Sequence, residues 1–229
     1  MVPFAIGSET AGSITYPAAR CRVTALRPTF GMVGRSGVMS ISESLDKLGP
    51  FCRSAVDCAI ILDVIRGKDP DDAVIPLDDQ LSVDVTKLTV GFFDDADKEV
   101  VHVLASKGVN MVPFKLNYGV DSVQGILNFT MDVDMLAHFD NWRRSGEDAQ
   151  YEAQEQWPTE LGGACLIPAV GHVQAQRARG KLIREVKESF NNVDAVIGNA
   201  TDWEILWALA LAIAYQSVTD HHKQRQPIN

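Results

Sequence analysis

The segment Gly7-Ser8-Glu9-Thr10-Ala11-Gly12-Ser13-Ile14-Thr15-Tyr16-Pro17-Ala18 constrains this chain more than any other, because small residues crowd around one serine, Ser13. The crowding leaves the Ser13 hydroxyl and the neighbouring backbone N–H groups accessible. Acyl transfer needs a nucleophile and preorganised donors at the developing oxyanion, and consecutive amides of a Gly-rich turn supply such donors without side-chain interference. On composition alone the same stretch reads as a tight structural loop, since Gly/Ser/Ala-rich turns are common.

The rest of the chain supplies regular elements around that turn. Ser54-Ala55-Val56-Asp57 matches a capping box, and Ala55, Ala59, Leu62 and Ile65 recur at helical spacing until Gly67, which predicts a helix over 54–66. Leu88 to Phe93 reads as a strand, Lys98 to Lys107 as a short helix stopped by Gly108, and Val109 to Phe114 as a second strand. Two longer helical stretches, Gly125 to Trp142 and Ala169 to Phe190, flank a charged loop around Ser145-Gly146-Glu147-Asp148, and Val193 to Ile197 is strand-like. Alternating strands and helices predict an α/β layered core with a partly parallel sheet. With 229 residues and 46% hydrophobic content, one core is the simplest reading and two domains the upper limit.

Composition narrows the function. A net charge of -9, with acidic residues spread along the chain, disfavours attraction to phosphate, so nucleic acid is not an expected partner. Cys21, Cys52, Cys58 and Cys165 form no CxxC pair and no metal-ligand spacing, which fits buried thiols in a reducing compartment. No basic n-region or apolar h-region is visible at the start, so the expected location is intracellular, cytoplasmic or organellar. The most apolar run, Ile205 to Tyr215, is short of the roughly 20 residues a membrane-spanning helix needs. It reads as a buried or interface helix.

Other candidate sites are weaker. Asp134 and His138 stand four apart on a helical stretch that also holds Asp132, but no third ligand is evident, so a solvated helix face is expected and no metal. His221-His222-Lys223 reads as exposed tail. Asn128-Phe129-Thr130 and Asn199-Ala200-Thr201 read as chance matches to a glycosylation sequon. Cys52 and Cys58 are apolar-flanked, which favours core packing over a reactive thiol.

Gly7, Glu9, Gly12, Ser13, Ile14, Pro17 and Ala18, followed by Arg27-Pro28-Thr29-Phe30-Gly31, resemble the second signature block of the amidase-signature family. Ser44-Leu45-Asp46-Lys47-Leu48-Gly49-Pro50-Phe51 and the helix ending in Gly67-Lys68-Asp69-Pro70 look like its continuation. The resemblance is specific over residues 2–72. It is looser over 73–229, where it rests on Ala175-Gln176-Arg177-Ala178-Arg179 and the Ala208 to Gln216 helix and is closest to plant-type members.

This resemblance implies a single, incomplete amidase-signature domain over 1–229, a partial α/β fold with a mixed sheet covered by helices on both faces. It implies hydrolysis of a carboxamide C–N bond in a small-molecule amide substrate, without a cofactor. Ser13 would be the acyl-enzyme nucleophile, and the backbone amides of Thr10, Ala11, Gly12 and Ser13 would form the oxyanion hole. The family pairs this serine with a bridging serine and a lysine further upstream, where a lysine made neutral by burial acts as general base. Only twelve residues precede Ser13 here, none of them Lys, and Ser8 lies in the wrong block to be the bridging serine.

Four departures from the family pattern follow. Thr15 stands where an Arg is usual and Glu9 where Asp is commoner; if those side chains brace the turn, a hydroxyl does not replace a charged partner. Ala11 replaces a Gly, which is tolerable only where φ is negative. Arg22 follows Cys21 where a small residue is usual. Near the end, Thr201-Asp202-Trp203-Glu204 runs almost at once into Ile205-Leu206-Trp207, as though a strand region near 205 were missing, which would expose unpaired edges. The expectation is a chain inactive on its own, since loss of general-base assistance alone removes about 10²–10⁴-fold. The alternatives are a non-catalytic binding or interaction protein and a subunit completed in trans, with apolar surface open to self-association under either.

Overall fold

The computed structural model describes residues 2–67, 69, 71, 84–199 and 207–209. The readings placed on 200–206, on the apolar run past 209, on the tail histidines, and on Lys68 and Pro70 lie outside these residues.

The strands divide into two sheets of different kind. The first is antiparallel, in the order β1-β3-β2, from β1 (Ala5–Glu9), β2 (Thr24–Ala25) and β3 (Lys47–Cys52). Its register sets Gly7 opposite Gly49 and Glu9 opposite Lys47. A β-carbon on Gly49 would lie 2.1 Å from the Leu26 carbonyl oxygen, so only glycine lets the chain after β2 approach this closely. The helix α1 (Thr15–Cys21) follows β1, and α2 (Ala55–Ile65) follows β3. As the capping-box spacing predicts, the Ser54 hydroxyl accepts the Asp57 N–H at the start of α2.

The second sheet is parallel, in the order β5-β4-β6, from β4 (Thr89–Phe92), β5 (Asn110–Pro113) and β6 (Ala195–Ile197). Between its first two strands lies α3 (Lys98–Ser106), capped by the Asp97 carboxylate on the Glu99 N–H and closed by Gly108 at φ 88°. The crossover to β6 contains α4 (Val123–Ser145), α5 (Trp157–Ala164) and α6 (Ala169–Ser189). Gly146 ends α4 in the left-handed region at φ 80°. The class is mixed α/β, as expected, but among the described residues the single mixed sheet is replaced by these two.

Packing ties the two parts together. Val123, Ile126 and Leu127 of α4 and Leu182 and Val186 of α6 form one buried cluster, joined by Leu45 from the loop before β3. Ala11 and Phe30 pack against it from the serine turn's side. Two polar contacts reinforce the junction: Arg179 donates to the Ser44 hydroxyl at 2.7 Å, and the buried Ser42 hydroxyl donates to Asp134. The α4/α6 layer therefore supports the loop that leads into β3.

Candidate active site

The serine turn joins β1 to α1, and two buried carboxylates hold it from opposite ends. Glu9, the last residue of β1, is 1% exposed. Its Oε2 accepts the Ile14 and Thr15 N–H groups, both at 2.9 Å, and the Thr15 hydroxyl at 3.1 Å. Its Oε1 accepts an Arg27 guanidinium N–H at 3.1 Å. Burial pushes the Glu9 carboxyl up, but the Thr15 amide, Arg27, the Ile14 amide and Lys47 together outweigh it and hold the group below its ordinary range. The charged partner that Thr15 cannot supply thus comes from Arg27, in the chain that follows β2.

The second carboxylate is Asp46, at the entry to β3. Its Oδ1 accepts the Thr10 hydroxyl at 2.6 Å, while its Oδ2 accepts the Ser40 hydroxyl and the Ile41 and Ser42 N–H groups. One side chain therefore joins the serine turn to the loop before β3. Beside it, Lys47 is 3% exposed and donates from Nζ to the Thr10 carbonyl oxygen at 3.3 Å. Burial, then the nearby Arg27, pushes the Lys47 ammonium down to about 7, against the opposing pull of Glu9 and Asp46.

Between these supports the backbone rises to Ser13, whose side chain is exposed. Gly12 takes φ 132°, a conformation suited to glycine, whereas Ala11 keeps a negative φ and is accommodated. The Tyr16 N–H closes the turn on the Gly12 carbonyl at 2.7 Å. Among the described residues, the amides of Ala11, Gly12 and Ser13 donate to no backbone acceptor, and no side chain hydrogen-bonds the Ser13 hydroxyl. Arg22, where a small residue was expected, caps α1 in the left-handed region at φ 52°.

An apolar cavity of about 520 Å³ is lined in part by Met39 and Ile41 of the 39–42 loop. Ile41, Met135, Phe139, Trp142, Tyr151 and Trp157 contribute to its lining, with the Phe139 and Trp142 rings edge to face at 5.7 Å. The Ile41 amide and the Thr10 hydroxyl share the Asp46 carboxylate, so the cavity wall and the serine turn have a common anchor.

The remaining candidates fall elsewhere. Asp134 is not a merely solvated residue, since it accepts the Ser42 hydroxyl, and His138 Nε2 lies 3.6 Å from Glu43. Among the described residues no group of three or more His, Cys, Asp or Glu is placed to hold a metal ion. Cys52 and Cys58 are buried, with the Cys58 thiol pushed up to about 11 by burial, whereas Cys21 and Cys165 are exposed against the expectation of buried thiols. No helix among the described residues is long and apolar enough to cross a membrane.

Glu9, Thr10, Ala11, Gly12, Ser13 and Thr15 are thus brought into one turn. Sequence reasoning missed Arg27, Asp46 and Lys47 as its supports. The available signal was a set of charged residues inside the otherwise apolar and Gly/Pro-bearing stretches 27–31 and 44–51.

The serine turn thus joins an antiparallel strand to a short helix on a mixed α/β frame. The amidase family's sequence profile matches residues 1–202, and the chain belongs to that family. The A subunit of glutamyl-tRNA(Gln) amidotransferase from Alkaliphilus metalliredigens is 35% identical over 175 residues, covering 67% of this chain and 36% of that protein. Its counterpart from Sulfurihydrogenibium sp. is 28% identical, covering 88% of this chain and 49% of its own length. Native peptide amidase from Stenotrophomonas maltophilia superposes with a TM-score of 0.70 at 23% identity, over 93% of this chain and 54% of that one, which establishes a shared fold. The chain spans between about a third and a half of the length of these amidotransferase proteins.

Proposed function

We propose that this chain is the nucleophile-bearing part of a carboxamide hydrolase, with Ser13 forming the acyl-enzyme. The observation that carries this reading is the exposed Ser13 at the crest of a turn whose two ends are fixed by the buried carboxylates of Glu9 and Asp46. Ser13 Oγ attacks the carboxamide carbonyl carbon, and the amides of Thr10, Ala11, Gly12 and Ser13 receive the oxyanion. The C–N bond then breaks, the hydroxyl proton passes by way of a base to the leaving nitrogen, and water hydrolyses the acyl-serine. The cavity lined in part by Ile41 receives an apolar substituent of the amide substrate, positioned through the shared Asp46 anchor.

The base and a bridging serine are assigned to residues outside these 229, either elsewhere in a longer polypeptide or in a partner completing the site. The chain by itself is inactive or nearly so in turnover. Purified chain treated with a fluorophosphonate probe, followed by peptide mapping, tests the assignment. A Ser13 adduct that Ser13→Ala abolishes supports the nucleophile. No adduct on any serine, in protein that melts cooperatively, instead supports a non-catalytic interaction module built on the amidase fold.

A further inference from the structure

The buried Lys47 ammonium is not used by the reaction just described, yet it touches the turn that carries it. Lys47 Nζ donates to the Thr10 carbonyl oxygen at 3.3 Å, and that carbonyl belongs to the same peptide group as the Ala11 N–H. A cation on the oxygen of a peptide draws electron density from its nitrogen, which makes the N–H a stronger donor, and low local dielectric enhances the effect. We propose that Lys47 is a positioning residue of the acyl-transfer site, holding and polarising the Thr10–Ala11 peptide so that the Ala11 N–H binds an oxyanion more strongly while Lys47 is charged.

Three geometric facts favour this over a structural cation. Lys47 lies directly opposite Glu9 in the β1/β3 register, and its ammonium donates to the turn's backbone, not to a carboxylate. Glu9 is already engaged by Arg27 and three turn donors, and Asp46 by four donors from Thr10 and the 40–42 loop. The charges facing the ammonium are Glu9 on β1, Arg27 after β2, Asp46 beside it and Arg179 on α6, two of each sign. Burial is the largest influence on the ammonium and pushes it down to about 7, so Lys47 changes charge in the neutral range.

The catalytic side of this inference rests on Ser13 as nucleophile; the coupling between Lys47 and the peptide does not. The full chain, labelled with ¹⁵N and ¹³C, is titrated from pH 5.5 to 9 while the Lys47 Cε and Ala11 amide resonances are followed. In parallel, the rate of fluorophosphonate labelling at Ser13 is measured for wild type, Lys47→Gln, which retains a neutral donor, and Lys47→Arg, which retains the charge at every pH. The two resonances are expected to move with one midpoint, and Lys47→Gln removes the Ala11 response. Wild type is expected to outpace Lys47→Gln about tenfold at pH 6, a fraction of what deleting an oxyanion donor costs, and by less than about twofold at pH 9. Lys47→Arg keeps its advantage at pH 9. A flat Ala11 amide while Lys47 titrates overturns the proposal, as does a wild-type to Lys47→Gln ratio that ignores pH. Absence of wild-type labelling at every pH defeats the Ser13 assignment instead, and the resonance titration then decides the role of Lys47 by itself.

Discussion

The antiparallel sheet with its serine turn and the α4/α6 layer with its parallel sheet are stabilised by different physics. In the first, the fully buried side chains include Glu9, and Asp46 and Lys47 are nearly as enclosed. In the second, Val123, Leu182 and Val186 are buried with ordinary apolar neighbours. A buried carboxylate costs several kcal/mol unless its lone pairs are filled, so the geometry around Glu9 is specified by a closed set of donors. Apolar packing asks only for volume and tolerates repacking. The site thus sits where position is fixed mainly by directional bonds, and the support sits where it is fixed mainly by area, with Thr130 and Arg179 as its buried polar members.

That difference breaks first at Arg27. Arg27→Met leaves the Glu9 carboxylate without its charged partner in a nearly dry pocket, and removing one member of a buried pair typically costs about 3–5 kcal/mol. The loss at pH 7 appears in urea melts and shrinks as pH falls toward 4. The sign follows from Glu9 being held low in the folded wild type: its stabilisation is complete above the ordinary carboxylate range and fades as the folded group protonates. A loss independent of pH would show that Arg27 acts by packing and not through Glu9.

Leu182→Ala probes the other region. Leu182 is 0% exposed in the α4/α6 cluster, and truncating such a leucine costs about 3 kcal/mol, set by how far the cavity collapses. In contrast to Arg27→Met, the loss is expected to be the same at pH 5 and pH 8, and the rate of Ser13 labelling at a temperature where the variant is folded is expected to be unchanged. Slowed labelling in folded Leu182→Ala would show that the α4/α6 layer sets the turn's geometry through Leu45, and the contrast between the two regions would fail.

The same contrast governs what the sequence reveals. In the second region β4, α3, β5, α4 and α6 are legible from periodicity and end signals, because Asp97, Gly108 and Gly146 act locally on their own helices. The α5 helix is not, since Trp157–Ala164 contains Pro158, Gly162 and Gly163 and gains its stability from packing on α4. In the first region β3 defies local rules: Gly49-Pro50 sits in a central strand, where proline forfeits a ladder bond. It is a strand because β1 and β2 flank it and because a larger residue at 49 would strike Leu26. The turn from Glu9 to Thr15 is legible because its residues are consecutive. Arg27, Asp46 and Lys47 are 18 to 37 positions from their partners, and only the strand register brings them together.

Arg22 tests whether strain in the first region belongs to its function, and its effect is the smallest. The left-handed conformation costs a residue with a β-carbon about 1–2 kcal/mol, while glycine adopts it freely but loses more entropy on folding. Arg22→Gly is therefore expected to stabilise the chain by about 0.5–1 kcal/mol, seen as a higher urea midpoint with an unchanged slope. Arg22 is exposed and caps α1 through its backbone N–H on the Ala18 and Ala19 carbonyls, a bond glycine keeps. If the strain is a local property of the helix end, Ser13 labelling is the same in both proteins. If Arg22→Gly slows labelling while raising stability, the strained cap helps to hold α1, and with it the Ile14 and Thr15 amides on Glu9, in the geometry the turn requires.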